Sequence, residues 1–248
     1  MIAECLLIKN ENRYLHEHII NNVRAGIDFF YIYDNNSDEP VKQFLQKTYP
    51  SILSICKIET ITATNNLQLE CYALCIEDHG AQCNYIAFVD TDEIFIGNLK
   101  DTMYQYKKAS AVIFAPVLHG CNGVISDNGG GMVETYKDDI ISYRDSWTKC
   151  ISKPNAIIKQ DVHKVILKPG YTPQYISIKS HQTTVLHHYR FKSFEEYVKK
   201  ILRGSCDPRA CFAINSFFDF NKTIDPNSDE VKKILTKYNV NLDTYQNY

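Results

Sequence analysis

Three acidic residues, Asp90, Asp92 and Glu93, follow directly on the apolar run Tyr85-Ile86-Ala87-Phe88-Val89. The run is short and rich in aromatic and branched side chains, which predicts a buried strand rather than a helix. In open α/β sheets the carboxyl ends of strands are where ligands bind. Continued as an extended chain, the segment would put Asp90 and Asp92 on one side by alternation. Two carboxylates so close repel unless a cation or a proton lies between them. A hard divalent ion with phosphate oxygens as its other ligands would suit the pair. The competing reading, of equal weight on the short motif alone, is a strand ending in a solvated acidic turn.

The elements that must position these acids come before them. Ile2 to Ile8 reads as a first strand, ended by Lys9-Asn10-Glu11-Asn12. Leu15, Ile19 and Val23 then mark the inward face of a helix that stops at Gly26. Phe29 to Tyr33 predicts a second strand ending in Asp34-Asn35-Asn36-Ser37-Asp38. Pro40 suits the first turn of the next helix, which runs through Phe44 and Leu45. Ile52 to Ile58 predicts a third strand, Gln68 to His79 a third helix stopped by Gly80, and the acidic strand follows. This βαβαβαβ order predicts a Rossmann-like, mostly parallel sheet with helices on both faces. Lys9, Asn10, Glu11, Asp34, Asn36, Asp90 and Asp92 would then converge on one rim, although each alone is also an ordinary turn or cap residue.

Composition bounds the alternatives. The chain has 248 residues, 44% hydrophobic and 23% charged, which fits one large α/β domain. A net charge of −2 gives no broad electrostatic case for nucleic acid. Nine cysteines, an odd number without a CxxC pair, suit free thiols in a reducing compartment. Cys71 and Cys75, four apart on one helix face, read as core packing before metal binding. The N-terminal segment lacks the basic start of a signal peptide, and no stretch reaches the ~20 apolar residues of a membrane helix. The expectation is a soluble protein of the cytoplasm, compatible with peripheral contact at the inner face of the membrane.

The second half is less regular. Val112 to Val117 predicts a strand. The glycine-rich stretch from His119 to Gly131 is read equally as a substrate loop and as a hairpin turn; it has no GxxxxGK[ST] phosphate loop. Trp147, the only tryptophan, would pack under a sugar ring or fill a core. Ala156 to Ile158, Val162 to Leu167 and Val185 to Tyr189 predict strands, the last carrying His187 and His188. Ser193-Phe194-Glu195-Glu196 is a capping box. It opens a helix with Phe194, Tyr197, Val198, Ile201 and Leu202 inward and Gly204 at its end. Asp207-Pro208 would start a short helix, and Ser228 to Tyr238 predicts an amphipathic one with Val231, Ile234, Leu235 and Tyr238 inward.

Taken in order, these stretches resemble a glycosyltransferase of the GT-A fold, most of all the family called GT92 and related family-2-like bacterial enzymes. Ile8-Lys9-Asn10-Glu11 with Arg13-Tyr14-Leu15 matches the family's opening motif, and Gly26-Ile27-Asp28 with Tyr31 to Ser37 its second strand. Gln68, Tyr72 and Cys75 fall on the helix before the acidic strand, and Phe88 to Phe95 matches the DxD segment. Lys149 to Pro154, His163, His188-Tyr189 and Lys192 to Tyr197 match the second half, so the likeness covers roughly residues 2 to 205. It implies one GT-A domain, with a nucleotide-sugar half at 1–117 and, at 118–248, a smaller acceptor-side half with the C-terminal helices. The implied reaction moves a sugar, galactose first, from a UDP-sugar to a hydroxyl of a glycan or glycolipid acceptor, with inversion. The resemblance implies Mn²⁺ or Mg²⁺ at Asp90 and Asp92. Asp92 would be the direct ligand, Asp90 closer to the ribose or a metal-bound water, Glu93 behind them and His188 a further ligand. Lys9, Asn10, Glu11, Asp34, Asn36 and Gln68 would line the nucleotide pocket, and Lys192 would meet phosphate oxygens. Asp161 and His163 are the candidates for the general base, with Glu134, Asp127 and Asp145 also open.

Two other classes compete. A haloacid-dehalogenase-like phosphatase would use Asp90 as nucleophile and Asp92 as general acid. It would, however, open the chain with this motif rather than place three β/α units before it. A nucleotide-binding module without catalysis is the third reading.

Overall fold

A computed structural model describes residues 1–62, 66–143, 147–176, 184–204 and 214–241. The expected Asp207-Pro208 helix start and the candidate Asp145 lie outside them. The described chain divides into two compact units. The first holds Met1–Val117 and Tyr143–His188; the second holds Leu118–Ser142 and the described part of 189–248. Residues 143–188 thus lie in the first unit together with 1–117.

The chain begins with β1 (Ile2–Ile8), α1 (Asn12–Ala25), β2 (Phe29–Asp34) and α2 (Val41–Thr48). A 3₁₀ turn, Pro50–Ile55, leads to β3 (Cys56–Thr60), α3 (Leu67–His79), β4 (Tyr85–Phe88), β5 (Glu93–Gly97) and α4 (Leu99–Gln105). Then come β6 (Ala111–Phe114), β7 (Val117–His119), α5 (Met132–Tyr136), β8 (Ile140–Tyr143) and β9 (Lys149–Ser152). The hairpin strands β10 (Ile157–Gln160) and β11 (Val165–Leu167) precede β12 (Pro173–Ile176) and β13 (Thr184–His188). Helices α6 (Phe194–Arg203), α7 (Ile214–Phe220) and α8 (Asp229–Lys237) follow. None of the described helices is long and apolar enough to cross a membrane.

The first unit is built on a seven-stranded sheet in the order β12-β6-β9-β4-β1-β2-β3. Strand β1 pairs in parallel with β2 and β4, and β2 with β3; β9 alone runs antiparallel, between β4 and β6. Both sheet faces are covered, which is why the strands are near-continuous apolar runs. On one face Ile2, Leu6, Ile8, Phe30 and Ile32 pack with Leu15 and Ile19 of α1 and Leu45 of α2. On the other, Ala3, Cys5, Tyr31 and Phe88 pack with Cys71, Tyr72 and Cys75 of α3. The cysteine pair is core packing, and Cys5 Sγ lies 3.8 Å from Cys71 Sγ as a free thiol. This is the mostly parallel α/β sheet with helices on both faces that the alternation predicts.

Several local expectations are corrected. The third strand begins at Cys56, not Ile52, because Pro50, with fixed φ and no N–H, opens a 3₁₀ turn. Val23 is 38% exposed, and Asn22 takes the inward place on α1. Seven residues from Leu15 make nearly two whole turns at 3.6 residues per turn; eight overshoot. Leu202 is exposed on α6 for the same geometric reason, while Phe194, Tyr197, Val198 and Ile201 are buried. The predicted strand at 112–117 is two strands, β6 and β7, and the hairpin strands are shifted to 157–160 and 165–167.

In the second unit the capping box is formed: Ser193 Oγ accepts from Glu196 N, and Glu196 bonds back to Ser193. The glycine-rich segment is anchored on α6, with Asp127 N–H donating to Glu195 Oε2 at 2.9 Å and Lys199 Nζ to Asp127 Oδ2 at 3.2 Å. Glu195 also accepts from Lys237 Nζ and Tyr238 Oη at the end of α8. These donors outweigh burial and bring the carboxyl of Glu195 down to about 2.

Candidate active site

Strand order locates the site. From β1 the chain winds outward through β2 and β3, then returns to place β4 on the other side of β1. Such a reversal is where sheets of this kind bind ligands, in a crevice outside the carboxyl ends of the strands, here those of β1 and β4. Asp90 follows β4. Helix α3 runs back into β4, so its first turn, with Gln68, lies at the same rim. Because β9 is antiparallel to β4, with Cys150 opposite Phe88, its first residue Lys149 arrives there as well. Strand β13 is antiparallel to β5 and sets His188 opposite Glu93.

The acids do not continue the strand. Thr91 and Asp92 form a turn closed by Glu93 N–H donating to the Asp90 carbonyl at 2.9 Å, so the alternation expected of Asp90 and Asp92 does not apply. Nor is the turn solvated: Asp92 and Glu93 are buried, and Asp90 keeps about a third of its side chain exposed, 37%. Glu93 Oε2 accepts from Asp90 N–H at 2.9 Å, which ties the carboxylate back onto the turn.

Lys149, fully buried, is the counter-charge. Its Nζ lies 2.7 Å from Asp90 Oδ2 and 3.3 Å from Glu93 Oε2. Burial works against an ammonium, but the two carboxylates outweigh it and raise the lysine above its ordinary range. Asp90 feels burial upward and Lys149 downward, and the net is a lowered carboxyl. In Glu93, burial together with Asp90 and Asp92 overcomes Lys149 and pushes the group up to about 8. Gln68 Nε2 donates to Asp90 Oδ1 and to Tyr72 Oη, both at 2.8 Å.

Asp92 and His188 face each other, with Nε2 to Oδ1 at 3.6 Å, and His188 Nδ1 lies 3.5 Å from Glu93 Oε1. The half-buried Trp147 meets the His188 ring edge-to-face with centroids 6.2 Å apart. Among the described residues no three His, Cys, Asp or Glu side chains form a ready cation cage. One carboxylate and one imidazole nevertheless fit a first-row divalent ion whose other positions are taken by phosphate oxygens and water. A carboxylate behind Nδ1 is the usual way to aim Nε2 at such an ion. Asp90, engaged by Lys149 and Gln68, is less suited to direct ligation than Asp92.

The remaining expected residues are distributed more widely. Asp34 is buried and accepts from Ser37 N–H and Val41 N–H, which makes it a structural cap for α2. Asn10, at φ 54°, bonds Ser37 and Asp38, joining the loops after β1 and β2 at the same rim. Lys9 is exposed there, Glu11 precedes α1, and exposed Asn36 reaches the Ile61 carbonyl at 3.4 Å. His163 Nδ1 lies 3.2 Å from the Thr148 carbonyl, beside Lys149 in the chain. Burial and the Lys149 charge lower its pKa. Asp161 sits in the β10–β11 turn, accepting from Val162 N–H at 2.7 Å. Lys192, buried at φ 52°, belongs to the second unit.

The sequence model of glycosyltransferase family 92 matches residues 5–235. A family 92 protein of Oryza sativa subsp. japonica is 25% identical over 199 residues, covering 78% of this chain and 30% of the relative. One from Ricinus communis is 21% identical over 226 residues, covering 82% of this chain and 37% of the relative. The chain therefore spans about a third of the length of these curated relatives. Among solved structures, S. aureus TarS 1–349 in complex with UDP-GlcNAc gives a TM-score of 0.49 at 15% identity, over 96% of this chain and 71% of that one.

Proposed function

The chain belongs to glycosyltransferase family 92, and from that membership we propose that it transfers a sugar from a UDP-sugar to a hydroxyl of a glycan or glycolipid acceptor, with inversion. Galactose is the first candidate sugar, and the sheet with its β1/β4 crevice is read as a GT-A nucleotide-sugar fold. The observation that carries this reading is the convergence of Asp90, Asp92, Lys149 and His188 at that crevice. Nothing in the site favours the phosphatase reading over it.

In the proposed step the acceptor oxygen forms a bond to the anomeric carbon as the bond from that carbon to the diphosphate oxygen breaks. UDP departs with the electron pair, and a base takes the acceptor proton. Asp92 and His188 would hold Mn²⁺ or Mg²⁺, which when bound supplies neutralisation of the charge growing on the diphosphate. Asp90, fixed by Lys149 and Gln68, faces the nucleotide as a hydrogen-bond acceptor for a ribose hydroxyl. His163 is the better base of the two candidates. The Thr148 carbonyl selects its Nδ1–H tautomer, and its lowered pKa keeps Nε2 a lone-pair nitrogen at neutral pH. Asp161 spends one oxygen on the hairpin turn. A cytoplasmic place of action belongs to the same proposal and fits the free thiols.

The test is UDP release from a panel of UDP-sugars with Mn²⁺, with and without glycan acceptors, and NMR assignment of the product anomer. Release from one donor with an inverted product supports the proposal; no release and no binding of any UDP-sugar rejects it.

A further inference from the structure

A second polar group lies beneath the acidic turn, inside the apolar layer between the sheet and α1. Glu4 stands on β1 in the inward row Ile2, Leu6 and Ile8, and is fully buried, as are His18 and Asn22 on α1. His18 Nε2 lies 2.5 Å from Glu4 Oε1, and His18 Nδ1 lies 3.0 Å from the Thr91 carbonyl. A carbonyl cannot donate, so Nδ1 carries a proton; the short contact on Nε2 requires a second proton between ring and carboxylate. Asn22 Nδ2 donates to Glu4 Oε2 at 2.9 Å, and Asn22 Oδ1 accepts from Phe95 N–H at 2.8 Å. Two backbone groups are thus grasped, one at each end of the segment that presents Asp92 and Glu93.

Apolar side chains of the same volume are commonly no worse for stability than a buried polar cluster. Here the cluster does something apolar residues cannot: it supplies the donor for the carbonyl between Asp90 and Asp92 and the acceptor for an amide of β5. We propose that Glu4, His18 and Asn22 are positioning residues for the donor site, a buried bracket that fixes the Thr91 carbonyl and the Phe95 amide and so holds the acidic turn in its binding geometry. This rests on the donor reading of that turn.

Glu4→Gln is the conservative variant. Its amide can donate to His18 Nε2 and accept from Asn22, so the Thr91 contact survives while the buried charge is removed. On that background His18→Leu removes the donor to Thr91, and Asn22→Ala, made separately, removes the acceptor for Phe95, without stranding a carboxylate. Hydrogen exchange of the 91–95 amides and calorimetry with UDP and Mn²⁺ are measured on each folded variant. The expected result is exchange at least about tenfold faster in that segment in either double variant. UDP affinity should fall by about 10–100-fold, the scale seen when supporting shells are disturbed. Glu4→Gln alone should keep wild-type affinity within about threefold. Unchanged exchange in both double variants overturns the bracket. Faster exchange with wild-type UDP affinity overturns its role in binding. Failure of the wild type itself to bind UDP defeats the donor reading instead, and exchange then still decides whether the bracket holds the turn.

Discussion

Lys149 is the residue on which the electrostatics of the acidic turn depend. A fully buried ammonium sits against Asp90 and Glu93, and removing it leaves the Asp90 carboxylate without its counter-charge. Breaking a buried pair in this way costs about 3–5 kcal/mol. Lys149→Met should therefore lower the unfolding free energy from urea denaturation by that order, while an unchanged free energy would mean the network is relaxed by water. Asp92 and His188 make a different prediction. Asp92→Ala should abolish metal-dependent UDP binding, and His188→Ala should weaken it by about 10–100-fold in a Mn²⁺ titration. Wild-type titration curves would remove either residue from the site. The acids were readable because three stand together after an apolar run. Lys149, Glu4, His18 and Asn22 were not readable as a site, since a single polar residue in a strand or helix resembles a cap or surface position. The signal was present at Glu4, a charge within Ile2-Ala3-Glu4-Cys5-Leu6, a strand buried on both faces.

At the scale of elements, the alternation of strand and helix through β4 was legible because each unit has its own period and its own stop. The antiparallel strands were not: the pairing of β9 with β4 and of β13 with β5 depends on residues 62 to 95 positions apart. No local pattern announces such pairings, although they deliver Lys149 and His188. Helix α6 shows what a local signal does fix. Its capping box satisfies N–H groups that the first turn leaves open, so Ser193→Ala should cost about 1 kcal/mol in chemical denaturation. Glu195, one turn further in its consequences, ties α6 to α8 through Lys237 and Tyr238. Its folded pKa of about 2 lies below the unfolded carboxylate value. The stabilisation is therefore complete above about pH 4.5, and is lost as pH falls through the interval down to about 2. Glu195→Gln should flatten the acid limb of the stability–pH curve; an unaltered limb would show that Lys237, the Asp127 amide, Tyr238 and Lys199 together do not hold the carboxyl down.

For the whole molecule, the consequential fact is that the candidate donor centre formed by Gln68, Asp90, Asp92, Lys149 and His188 belongs to the first unit, while Lys192, expected at the phosphates, belongs to the second. The return of the chain to the first unit at Tyr143 was not legible, because nothing in the sequence of 143–148 marks a domain edge. A centre contained in one unit makes a definite thermodynamic demand. On the proposed reading donor and metal bind the folded first unit and not the unfolded chain, so they should raise its unfolding temperature by mass action. At a UDP concentration of about 100 Kd with saturating Mn²⁺, the gain is about 2.7 kcal/mol. For a chain of this size each kcal/mol moves the midpoint by roughly 2–4 °C. A shift of roughly 5–10 °C is therefore expected in differential scanning calorimetry, and it should require both UDP and the metal. The same scan on Asp92→Ala should show no shift. A full shift with UDP alone would place the nucleotide on the chain without Asp92 and His188 bridging to it through an ion.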